Sequence, residues 1–179
     1  MFEKKPSYKK YKLQIIEFNL AMYNFFVKGG RHLETKKKSQ YYDNFTPDKL
    51  DTMESEHNYI QYIFPVMRFS DYQEEKVMVR TVARILVKRP VVLQTIRDFT
   101  VTFADFLIAK GKKEGNWFMH GNHNKNRISR VFMCCKLFGL EKQLTDFQYA
   151  LTNILGYDYM NDDSSKRKYQ KVLQTRRIN

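Results

Sequence analysis

The stretch His57-Asn58-Tyr59-Ile60-Gln61-Tyr62-Ile63-Phe64-Pro65 decides how this chain is read. Three ring side chains, two isoleucines and a closing proline make an aromatic cluster denser than the 15% aromatic composition of the chain. A proline disfavours helix in the residue before it, so a helix through this stretch ends by Phe64. Upstream, Thr46-Pro47 supplies a cap followed by proline at the first helical position. The expected helix runs from there through the cluster, which is then buried at a helix end.

Working outward, the apolar spacing stays helical. Leu13, Ile16, Leu20, Tyr23 and Val27 fall at steps of three and four and predict the inner face of a first helix stopping near Gly29-Gly30. A polar connector follows to about Asn44. Beyond the cluster, Ser70-x-x-Gln73 reads as a capping box for a third helix with Met78, Val82, Ile85 and Leu86 inside, reaching Lys88. Pro90 breaks or kinks it. Leu93, Ile96, Thr100, Phe103 and Leu107 line a fourth helix, ended by Gly111 and Gly115, although Val91, Val92 and Thr95 disfavour its first turn. Ile128, Val131, Phe132, Cys135 and Phe138 give a fifth, stopped by Gly139, and Leu144, Phe147, Leu151 and Ile154 a sixth, stopped by Gly156. No strand alternation and no repeat interrupt the pattern. The expected fold is a compact all-α bundle of about six helices over residues 13–157. A basic extension, 1–12, precedes it. A basic tail, 158–179, follows and is expected to be loosely ordered from Asn161, with Tyr169, Val172 and Leu173 anchoring a helix once an acidic partner binds.

A chain of 179 residues suits one domain, and 42% apolar residues suffice for one core. The net charge is +13, with +4 in residues 1–12 and +6 in Ser164–Asn179. The two cysteines, Cys134 and Cys135, are sequence neighbours and cannot build a disulfide framework, which points to a reducing compartment, cytoplasm or nucleus. No apolar run reaches the ~18–20 residues that span a bilayer.

Lys76, Arg80, Arg84 and Lys88 recur at steps of four, a column of like charges in which each adjacent pair costs a helix ~0.2–0.5 kcal/mol. An external anion would offset that repulsion, and a solvated face would tolerate it. The tail adds Lys166, Arg167, Lys168, Lys171, Arg176 and Arg177, of which the first three also read as a short nuclear-import signal. These cations suit an acidic protein surface, nucleic acid or anionic lipid. His120, His123, Cys134 and Cys135 invite a metal by type, but adjacent helical cysteines diverge by ~100° and cannot readily face one ion, so no metal or cofactor is expected. His57 beside Glu54 and Glu56 fits a histidine hydrogen-bonded inside the aromatic cluster better than acid–base work, and His123-Asn124 reads as a cap for the fifth helix. There is no P-loop, dinucleotide glycine motif, serine elbow or partnered cysteine, so the sequence offers nothing to an enzyme reading.

The motif His57, Tyr59-Ile60-Gln61, an aromatic, an aliphatic and Phe64-Pro65 resembles the signature of the opioid growth factor receptor conserved region, with Tyr62 where tryptophan is usual. The likeness extends to Gly30, Arg31 and Leu33, to Trp117, and to Asn122-His123-Asn124 through Arg127-Ile128-Ser129-Arg130, closing at Leu137-Phe138-Gly139-Leu140. It spans roughly Ile15 to Leu155. Residues 34–45 are longer and more polar than the family pattern, and 66–72 lack its small-residue loop. The resemblance implies an α-helical domain with the Tyr59–Phe64 cluster packed on the helix that carries Arg127 to Leu140. The family is named for an animal member described as a nuclear-associated peptide receptor. The functional expectation is a noncatalytic interaction module or structural subunit docking through basic tails onto an acidic partner, such as a microtubule or a ribonucleoprotein. The alternatives are a nucleic-acid-binding protein or a peptide receptor.

Overall fold

The computed structural model describes residues 11–28, 60–68, 76–114, 123–159 and 161–179. These form seven α-helices and no strand: α1 Lys12–Lys28, α2 Ile60–Ile63, α3 Arg80–Leu86, α4 Pro90–Glu114, α5 Asn124–Leu137, α6 Glu141–Tyr149 and α7 Lys166–Gln174. The architecture is the expected all-α bundle. Its axis is α5, in which every residue except Asn126 and Lys136 is buried. A helix buried on nearly every side needs neighbours all round. α6 and α7 pack along it, α4 touches it where Thr100 meets Cys135, and its Arg130 reaches the α2 segment.

α1 forms as predicted but buries the other face. Leu13, Ile16 and Leu20 are exposed, at 72%, 52% and 57%, whereas Ile15, Phe18, Met22 and Phe26 enter the core. Both sets recur at helical spacing, so periodicity alone cannot choose between them. The aromatic set wins because its partners are waiting: Phe18 meets Tyr62 edge-on at 5.0 Å, and Phe25 stacks on Phe99 of α4 at 6.1 Å.

α3 is shorter than expected and is entered from an extended segment, residues 76–79, with Val79 as its N-cap. The 70–73 capping box lies outside the described residues. Met78 is buried in the segment before the helix, where its N–H donates to the Val66 carbonyl at 2.9 Å. Ala83 and Leu86 form the inner face, while Ile85 turns outward. Pro90 breaks the helical run as expected, with α3 ending before it. It opens α4 as the first helical residue, where a missing N–H costs no hydrogen bond. α4 continues through Gly111 to Glu114 and buries Val92, Ile96, Thr100, Phe103, Phe106 and Leu107.

Gly139 ends α5 with φ +66°. Leu140 N–H donates to the Cys135 carbonyl at 2.8 Å and Gly139 N–H to that of Lys136 at 3.1 Å, the paired bonds of a Schellman closure. α6 runs into a π-helical turn, Ala150–Ile154, in which Leu155 N–H reaches back five residues to the Ala150 carbonyl. The wider turn shifts the register, so Ile154 is 52% exposed instead of following Leu151 inward.

The chain beyond Asn161 is part of the fold, contrary to the loosely ordered tail expected. A 3-10 turn, Asp163–Ser165, leads into α7, which lies along α5 with Val172 buried. Lys136 Nζ donates to the carbonyls of Val172 and Leu173 at 3.0 and 3.2 Å, satisfying the end of α7. Ile178 is buried and its N–H bonds the Leu137 carbonyl at 2.9 Å. Of the anchors expected, Val172 and the half-buried Tyr169 serve; Leu173 stays half exposed.

Candidate functional site

Two groups of predicted residues separate in space: a buried motif and a cationic face. In the motif, Ile60, Gln61, Tyr62, Phe64 and Pro65 are all buried, as the closing proline implies; His57 and Tyr59 lie outside the described residues. Phe64 packs against Phe103 of α4 at 6.0 Å. From α5, Arg130 Nε donates to the Phe64 carbonyl at 2.8 Å and Nη2 to those of Gln61 and Lys76 at 3.4 and 3.5 Å. One guanidinium thus ties the end of α2 to the segment leading into α3. Burial pulls its pKa down to about 10, which leaves it charged at neutral pH. The same segment is held from the other side by Asn19, whose Nδ2 donates to the Val77 carbonyl at 2.9 Å and whose Oδ1 accepts from Val79 N–H at 2.8 Å. Asn19 escaped the sequence reading because a lone polar residue on an apolar face carries no local signal.

The second signature is also internal. His123 occupies the N-cap position of α5 with helical backbone angles and makes no side-chain cap. Asn124 does not cap either. It is the first helical residue, fully buried, and its Oδ1 accepts from Arg127 Nη1 at 3.0 Å. Lys125, 6% exposed at its side chain, pairs with Asp162 at 2.8 Å. Asp162 also accepts from Tyr157 Oη at 2.6 Å and Ser165 Oγ at 3.0 Å, and Tyr159 Oη hydrogen-bonds Ser129. This polar cluster fastens the approach to α7 onto α5. Ile128, Gly139 and Leu140 serve packing and helix closure. Trp117 and Asn122 fall outside the described residues.

Cys134 and Cys135 are both fully buried, and Cys135 Sγ lies 3.6 Å from Thr100 Oγ1. Burial raises both thiols, Cys135 to about 11, so they are protonated at neutral pH and poor nucleophiles or metal ligands.

The column Lys76, Arg80, Arg84, Lys88 is not a column. Only Arg80 and Arg84 lie on α3; Lys76 is half-buried in the extended segment with Nζ 5.2 Å from the Tyr62 ring centroid, and Lys88 follows the helix. The cations of the tail are the ones brought together. α7 commits its apolar side to α5 and turns Lys166, Arg167, Gln170 and Gln174 outward, with Lys168 and Lys171 partly covered. Arg176 and Arg177 continue the exposed strip, and Arg68 Nη1 joins it by donating to Gln174 Oε1 at 3.2 Å. Residues 164–179 contain no acid. Lys166 faces Asp163 at 3.7 Å, both highly exposed, a contact of little strength.

Fold and site together define an all-α bundle with a cationic helix displayed on its surface. No protein-family model, curated protein or solved structure matches the chain. Among the described residues no helix is long and apolar enough to cross a membrane.

Proposed function

We propose that the chain is a noncatalytic helical interaction module of the opioid growth factor receptor type, acting inside the cell, that docks an acidic partner through α7 and the residues after it. The observation that carries this is the division of labour on α7. Its apolar side is used by its own domain, and what remains is an ordered, acid-free cationic surface. Ordering the helix in advance removes the entropy that a disordered basic tail would lose on binding.

The test compares two variants of equal charge. Reversing Lys166, Arg167, Arg176 and Arg177 to Glu, or reversing Arg80, Arg84, Lys88 and Arg89 instead, shifts charge by two per residue, from +13 to +5 in either case. All eight side chains are exposed, so folding is spared. On immobilised heparin and polyglutamate, the first variant should elute at clearly lower salt than the second. Equal elution of the two would reduce the effect to net charge and refute the reading.

A further inference from the structure

Building on that module reading, we propose that the α7 face docks on the phosphate backbone of duplex nucleic acid. Three features of the face select this partner among polyanions. A basic helix that inserts into a lipid surface needs a free apolar side. Here that side is occupied, with Val172 buried against the bundle and Tyr169 packed edge-on to Tyr159 at 6.2 Å.

Single-stranded nucleic acid is gripped by aromatic side chains on which unstacked bases lie. Tyr169 is the only ring on α7 and is turned inward, so the face has no stacking platform. Protein–protein interfaces concentrate apolar and aromatic anchors at a centre depleted of charge. The outward residues of α7 invert that composition: Leu173, half exposed, is the one apolar side chain among them.

What the face does offer is suited to phosphate. Arg167, Arg176 and Arg177 make no ion pair among the described residues, and Lys166 has only its loose contact with Asp163. Arginine forks bind phosphate oxygens bidentately. Gln170 and Gln174 add neutral donors on the same side. At ~1.5 Å per residue α7 from Lys166 to Gln174 is roughly 12 Å long, with Arg176 and Arg177 carried on the extended residues after it, enough to follow one groove edge of a duplex. Contacts of this kind position the protein without reading sequence.

The experiment is fluorescence anisotropy with the full chain and three probes: a duplex of about 20 base pairs, one of its strands alone, and labelled polyglutamate. Four phosphate contacts predict a slope of log K against log salt of about −3.6, a loss of about a hundredfold from 50 to 200 mM salt. The α7-face variant should bind the duplex at least tenfold more weakly than the charge-matched α3-side variant, and two unrelated duplex sequences should bind alike. Polyglutamate bound through this face with the duplex ignored would overturn the proposal and leave the module reading standing, with an acidic protein as partner. Tighter binding of the single strand would also overturn it. Failure of every probe would sink both.

Discussion

Buried thiols and a buried guanidinium lie within six residues of one another on α5, and burial moves them in opposite directions. Desolvation disfavours whichever form is charged, so Arg130 falls to about 10 while Cys135 climbs to about 11, with Cys134 raised as well. A thiol raised in the folded state contributes stability below its unfolded value, and that contribution is lost as pH rises through the folded one. Tyr159 acts in the same direction, from 10.0 to about 12, because burial outweighs its bond to Ser129. Arg130 opposes them: its depressed value lets the folded state shed a proton above pH 10, relieving an unfavourable buried charge. Urea unfolding of the wild type should therefore lose stability between pH 9 and 11. The Cys135→Ala variant should lose less over the same range, by on the order of 2 kcal/mol. Parallel pH profiles for the two proteins would contradict a protonated, buried Cys135.

At the scale of the element, helix stops are where local chemistry shows through. Gly139 at φ +66° closes α5, and a side chain there meets two penalties of different size. A Cβ would come within 2.6 Å of Arg177 Nε, but that atom is the far end of an exposed, flexible side chain and can move aside. The left-handed backbone cannot. Gly139→Ala should then cost about 1–2 kcal/mol in chemical denaturation, with little recovered by adding Arg177→Ala. Full rescue by the second change would reverse that ranking. The π turn after α6 is the counterexample among the elements: its extra residue per turn leaves no mark in the apolar spacing, which is why Ile154 was expected inside.

For the molecule as a whole, the C-terminal segment is a structural component as well as the candidate docking face. Removing residues 161–179 would strip the buried Val172 and Ile178 from the bundle and deprive Lys125 of Asp162. Two such apolar side chains are worth about 3–6 kcal/mol, a large share of the roughly 5–15 kcal/mol that holds a domain together. The truncated chain should lose its cooperative thermal transition or melt far below the full chain by circular dichroism. An unchanged melt would show that α7 is an accessory to the bundle. The proposed docking role and stability thus share this segment, and point reversals of exposed charges separate them where deletion does not.

The sequence by itself determined that the chain is helical and where several helices begin or stop, because Pro65, Pro90, Gly139 and Gly156 constrain the backbone without help from distant residues. The buried Tyr62–Phe64 cluster was legible for the same reason, being an apolar group against a fixed helix end. Tertiary structure alone decided which apolar face of α1 turns inward, that Arg127 and Arg130 are internal polar ties, and that the basic tail folds back onto α5. Most of those outcomes depend on a partner tens of residues away, such as Tyr62 for Phe18, the Phe64 carbonyl for Arg130 and Lys136 for α7, while Arg127 meets Asn124 three residues before it. Local spacing lists the surfaces that could be buried; only the assembled core selects among them.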